Sequence, residues 1–236
     1  MKKLFTKYKL SIILKRRVLD RIKFNGIYAD QMKNSISNVL EELETQSNLE
    51  KTRKVDVKPQ DRMLAITKET GEMLNMILRL KNAKNMLEVG TSTGYSTIWC
   101  AEVLSENQGK IITIEQNPEK IKRANENFLK AEISDVITIK EGLAMDILNE
   151  LSQQEKNSEF FDFVLIDADK ENIIEYFDLI LPMVSPGGVI ITDNMLYPEK
   201  YRPEMKKFSD YLKTNSRLRT ITSPIGNGEE ITIKIK

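Results

Sequence analysis

Short apolar runs rich in β-branched residues recur along most of the chain, and each is followed by a stretch with helical spacing. The runs fall at 86–89, 111–114, 136–139, 163–166 and 189–192. Between them the pattern predicts helices over 94–104, from Asn117 and Pro118 onward, after the third run to about 151, and over 171–184. Asn117 followed by Pro118 is an N-cap followed by a first helical residue. Strands this short and this continuously apolar, alternating with helices, specify parallel pairing in a sheet buried on both faces. The C-terminus breaks the alternation. Residues 219–222 and 231–234 flank Gly226-Asn227-Gly228, which predicts an antiparallel hairpin at one edge.

The region before the first strand differs. Residues 30–50 read as a polar-rich helix with Met32, Ile36, Val39, Leu40 and Leu43 at helical spacing. A charged connection, 51–61, contains Pro59, and Thr67 is a candidate N-cap for a helix carrying Met73, Leu74, Ile77 and Leu78. The expected organisation is a basic helical N-terminal arm, 1–55, and a main domain, 56–236. The first 23 residues hold nine Lys or Arg against one acid, Asp20. That run reads either as a solvated or interface-packed arm or as a patch for nucleic acid or anionic lipid.

Composition narrows the chemistry more than the fold. The 236 residues include no histidine and one cysteine, Cys100. Ser-His-Asp triads, Cys-His pairs, histidine zinc sites and CxxC redox pairs are therefore excluded. A metal would be held mainly by oxygen, which favours Mg, Ca or Mn. The longest apolar run near the N-terminus is Ile12-Ile13-Leu14, too short for a spanning or signal segment. No membrane association is expected, and a cytoplasmic location is.

Ligands of open α/β sheets bind at the carboxyl ends of the strands. The first end reads Glu88-Val89-Gly90-Thr91-Ser92-Thr93-Gly94-Tyr95-Ser96. Its glycines allow close backbone approach before a helix, but their spacing is not that of the dinucleotide fingerprint, and no Walker lysine follows. The second ends in Glu115, suited to a ribose diol. The third ends in Glu141-Gly142-Leu143-Ala144, small enough to leave room for adenine. The fourth ends in Asp167-Ala168-Asp169-Lys170, and the fifth in Thr192-Asp193-Asn194. If the last two strands are neighbours, about 5 Å apart, Asp167, Asp193 and Asn194 converge on one cation.

LEVGTSTGYS (87–96), ITIEQNPE (112–119), EGLAMDIL (141–148), FDFVLIDADKENIIEYF (161–177) and LPMVSPGGVIITDNMLY (181–197) together resemble the cation-dependent class I O-methyltransferases, the caffeoyl-CoA and catechol type. The resemblance covers about 64–197, and PIGNGEE (224–230) matches the family's C-terminal hairpin loosely. It implies a Rossmann-like, mostly parallel seven-stranded sheet with helices on both faces. It implies S-adenosylmethionine, lined by Ile66, Glu88, Gly90, Thr91, Ser92, Gly94, Ser96, Glu115, Ala144, Asp167 and Asp169. It implies a divalent cation, Mg²⁺ before Ca²⁺ or Mn²⁺, on Asp167, Asp193 and Asn194, and Lys170 as the catalytic lysine. The implied acceptor is a hydroxyl of a catechol-like small molecule, and the implied assembly a homodimer.

The chain also departs from the family. Only about ten residues, 195–204, separate Asn194 from the next helical pattern, where many relatives carry a longer insertion. Tyr197, Tyr201 and Arg202 in this stretch either line a substrate pocket or pack. Two other readings stand beside the first: methylation of a hydroxylated uridine in tRNA, gripped by the basic arm, and a non-catalytic nucleotide-binding module on the same scaffold.

Overall fold

The computed structural model describes residues 33–236, so the basic run over residues 1–23 lies outside the described residues. The chain there forms helix α1 (Asn34–Lys51), α2 (Lys68–Lys81), β1 (Asn85–Val89), α3 (Tyr95–Glu106), β2 (Lys110–Glu115), α4 (Pro118–Lys130) and β3 (Ile137–Glu141). It continues through α5 (Ala144–Ser152), β4 (Phe161–Ile166), α6 (Ile173–Ile180), β5 (Val184–Thr192), α7 (Arg202–Thr214), β6 (Leu218–Ser223) and β7 (Glu229–Lys234). The seven strands form one sheet in the order β3-β2-β1-β4-β5-β7-β6. The first five are mutually parallel, and β7 runs antiparallel to both β5 and β6.

The apolar runs are most continuous in the central strands β1 and β4, which are buried on both sides, whereas edge strand β3 leaves Thr138 exposed. Met86, Ile111, Phe163, Leu165 and Ile191 face one core with α1, α2, α3 and α4. Leu87, Val89, Ile114, Val164, Ile166 and Ile190 face the other, with α5, α6 and α7. Successive strand residues point to opposite faces, so both sets must be apolar. α1 belongs to the first core through Ile36, Val39, Leu40 and Leu43. Its end is also anchored, because buried Glu50 accepts from the Met63 backbone N–H (2.6 Å) and from Arg123 (2.7 Å).

The caps explain the helix starts. Thr67 accepts from the Thr70 N–H at 3.2 Å, and the Asn117 side chain accepts from the N–H groups of Glu119 and Lys120. The helix expected over 171–184 is shorter: α6 stops at Ile180, a 3-10 turn spans Leu181–Met183, and β5 begins at Val184, five residues before the apolar run at 189. Pro182 ends the helix by lacking an N–H. The register of β4 with β5 then shifts between Phe161 and Phe163, which accommodates Pro186, Gly187 and Gly188. No helix among the described residues is long and apolar enough to cross a membrane.

Candidate active site

The sheet order reverses direction between β1 and β4, and that is where an open α/β sheet leaves a crevice at its carboxyl edge. Gly90 sits there with φ +104°, in a region L side chains rarely adopt. A Cβ on it would stand 2.0 Å from the Asp167 carbonyl oxygen. Only glycine lets the chain leaving β1 pass the chain leaving β4 so closely. Gly94 (φ +90°) is closed by Phe128, 2.4 Å from where its Cβ would be.

Beneath this turn Glu88 is fully buried and accepts from three hydroxyls, Ser96 (2.6 Å), Thr97 (2.5 Å) and Thr113 (2.6 Å). Burial pushes its carboxyl above the usual range, and the three hydroxyls oppose that shift. Thr91 and Thr113 share a further hydroxyl contact at 2.6 Å. One strand along, Glu115 accepts from the backbone N–H of Ser92 (2.9 Å), Gln116 (3.0 Å) and Asn117 (3.0 Å), so its carboxylate is fixed beside the glycine turn. Ser92 also accepts from the Leu64 N–H (3.2 Å), which ties the segment before α2 over the turn, while Ile66 packs in the first core. Ala144 is the first residue of α5, next to exposed Leu143.

β4 and β5 are neighbours in register Ile166↔Thr192, and the Asp193 N–H donates to the Ile166 carbonyl at 3.1 Å. Asp167 and Asp193 therefore leave adjacent strands side by side. Asp193 is 1% exposed and Lys170 6%. Lys170 Nζ lies 3.4 Å from Asp167 Oδ1. Burial first, then the neighbouring Asp167, raises the Asp193 carboxyl well above the usual carboxylate range, and Lys170 opposes this. Asn194 follows with φ +68°, a conformation asparagine tolerates, and its N–H donates to Asp193 Oδ1 at 2.6 Å. Asp169 turns away into α6: its carboxylate accepts from the Asn172 N–H and side chain and from the Tyr176 hydroxyl.

Two residues at this centre are given no role by the sequence, Thr70 and Glu229, the second lying within the PIGNGEE hairpin segment. Burial, together with the neighbouring Asp193, raises the Glu229 carboxyl well above the usual range. Thr70 Oγ1 donates to Glu229 Oε1 at 2.8 Å. The signal that could have found Glu229 is a charged pair, Glu229-Glu230, opening a strand whose other residues alternate Ile, Thr and Lys. Around this centre the hairpin turn is clamped on both sides. Met195, Leu196 and Tyr197 donate their N–H groups to the Gly228 and Asn227 carbonyls, and Gly226 lies against Thr67 and Thr70. In the short loop Tyr201 packs against the second core, Arg202 Nε donates to the Leu196 carbonyl (2.6 Å), and Tyr197 is exposed. A groove between α1 and α4, edged by Glu42, Gln46, Glu50, Arg123 and Lys130, shares none of these residues.

A glycine-lined switch point beside a buried lysine and paired acids defines a Rossmann-like α/β group-transfer scaffold. The O-methyltransferase family profile matches residues 37–235. Caffeoyl-CoA O-methyltransferase 1 of Arabidopsis thaliana is 32% identical over 203 residues, covering 80% of this chain and 78% of that protein. The caffeoyl-CoA O-methyltransferase of Medicago sativa is 31% identical, covering 80% and 82%. Among solved structures, the O-methyltransferase TomG from Streptomyces achromogenes, in complex with SAM, superposes with a TM-score of 0.69 at 25% identity, covering 91% and 95%. An O-methyltransferase from Bacillus cereus in complex with SAH gives 0.66 at 25% identity, covering 91% and 96%. The chain belongs to the O-methyltransferase family.

Proposed function

We propose that this O-methyltransferase moves the methyl group of S-adenosylmethionine to a hydroxyl of a catechol-like small molecule and depends on a divalent cation. The observation that carries the reading is the side-by-side exit of Asp167 and Asp193 from adjacent strands, with Lys170 Nζ 3.4 Å from Asp167. Among the described residues, no three His, Cys, Asp or Glu side chains are arranged to hold a metal ion. The proposed set uses only two acids, with Asn194 as the third oxygen donor. Those residues fit a cation because Asp193 is buried against a like charge, an arrangement an ion of opposite sign relieves. When bound there, a divalent cation makes the hydroxyls of a vicinal diphenol more acidic and orients them.

The protein's own groups do the rest. Gly90 and Gly94 keep the edge of β1 open to the donor, and Glu115, held by three N–H groups, offers its carboxylate to the ribose hydroxyls. Glu88 anchors the turn from below through Ser96, Thr97 and Thr113. Lys170 Nζ, 3.4 Å from Asp167 Oδ1, takes the acceptor's hydroxyl proton. The acceptor oxygen then forms its bond to the methyl carbon as the carbon–sulfur bond breaks, giving S-adenosylhomocysteine and the methyl ether. Rate enhancement comes chiefly from holding oxygen, carbon and sulfur in line.

The test is incubation with methyl-labelled S-adenosylmethionine and a panel of vicinal diphenols, single phenols and tRNA bearing hydroxylated uridine. Label in the vicinal diphenols alone supports the reading. Label in the tRNA alone, with steep salt dependence of binding, replaces the acceptor.

A further inference from the structure

β7 opens with two adjacent acids, and both side chains are fully buried. Neighbouring strand residues face opposite sides of a sheet, so the two meet different surroundings. Glu230 is satisfied: it accepts from the hydroxyls of Ser209 (3.1 Å), Thr220 (2.5 Å) and Thr222 (2.5 Å). Glu229 is not. Its Oε1 accepts from Thr70, but Oε2 is buried with no hydrogen-bond donor among the described residues. The register Thr192↔Glu230 brings Glu229 opposite Asp193. A buried carboxyl oxygen without a donor, on the residue paired across from a second acid, is costly unless something positive completes the group. Asp167, Asp193 and Glu229 make three carboxyl groups, and Lys170 Nζ lies 3.4 Å from that of Asp167.

We propose that Glu229 is a positioning residue of the cation site: it stands behind Asp193 and fixes the orientation of that carboxylate toward the ion, which tightens divalent-cation binding. The proposal rests on the reading of Asp167, Asp193 and Asn194 as the cation's ligands. Glu229 acts through Asp193, because the three acids do not surround one point. Groups that back a metal ligand set its orientation, and their loss typically costs about 10–100-fold in metal affinity. A purely structural Glu229, serving only to tie the hairpin to α2 through Thr70, leaves that affinity unchanged.

The experiment titrates Mn²⁺ into the full-length, chelator-stripped protein and follows free Mn²⁺ by electron paramagnetic resonance, with no donor or acceptor present. Glu229→Gln keeps the volume and the oxygen that meets Thr70, and is expected to weaken Mn²⁺ binding about 10–100-fold with the melting temperature and S-adenosylhomocysteine affinity held. Glu229→Asp keeps the carboxyl group and is expected to recover most of the affinity, which keeps the proposal testable should the glutamine variant fold poorly. Equal Mn²⁺ affinity in wild type and Glu229→Gln overturns the role of Glu229 alone, as does an equal loss in the Asp and Gln variants. Absence of Mn²⁺ binding by the wild type overturns the cation reading itself, and this inference with it.

Discussion

Gly90 shows how a single residue decides whether the crevice exists. Its missing Cβ leaves space that the Asp167 carbonyl already occupies. Gly90→Ala must move two strand ends apart as well as adopt φ +104°. We expect it to lose S-adenosylhomocysteine binding by calorimetry and several kcal/mol of stability in urea, on the order of 2–4 kcal/mol. Lys170→Met, by contrast, removes the proposed proton acceptor without touching the turn. Its donor affinity should stay within about threefold of wild type while kcat falls by about 10²–10⁴; equal loss in both would place Lys170 in binding. The sequence made Asp167, Lys170, Asp193 and Asn194 legible because each ends an apolar run, where charge can only mean a strand leaving the core. It left the pairing of Glu229 with Thr70 unread because that pairing depends on a register between residues 159 apart. Asp169 shows the reverse: a motif residue whose carboxylate the structure ties into α6 through Asn172 and Tyr176.

Among the elements, α1 carries the most testable burden. It buries Ile36, Val39, Leu40 and Leu43 in the same core as the sheet. Leu40→Ala is expected to cost about 2–5 kcal/mol by urea unfolding, and a chain beginning at residue 52 should lose the cooperative transition. Glu50 at its end adds a pH dependence. Burial pushes this carboxyl up, but hydrogen bonds from Gln46, the Met63 N–H and Arg123 outweigh it, and the result lies below the usual range. A carboxyl lowered in the folded state contributes stability above its unfolded pKa and loses it as pH falls through the folded value. Stability should therefore fall on acidification below about pH 4.5, and Glu50→Gln should flatten that limb in melting curves taken from pH 7 down to pH 3. Element boundaries were less legible than element types. The 171–184 stretch is continuously helix-compatible, and only Pro182 and the paired glycines behind it divide it between α6 and β5.

For the whole molecule, the alternation of runs and helices predicted a parallel sheet closed by a hairpin, and the seven-stranded order bears this out. The order itself does more than pack the core. It places the β1 and β4 ends at the switch point and β5 beside β4, so that residues from four separate stretches of sequence share one crevice. The hairpin is part of that arrangement, since its turn bonds the loop after β5 and its second strand delivers Glu229.

The most direct measurement is methyl transfer to a vicinal diphenol by chelator-stripped protein, before and after adding Mg²⁺, for wild type and Asp193→Ala. The account predicts that stripped wild type is inactive and recovers with Mg²⁺, while Asp193→Ala stays at least about a hundredfold slower whether or not Mg²⁺ is present. Full activity of stripped wild type, or an Asp193→Ala variant that matches it, would contradict the account.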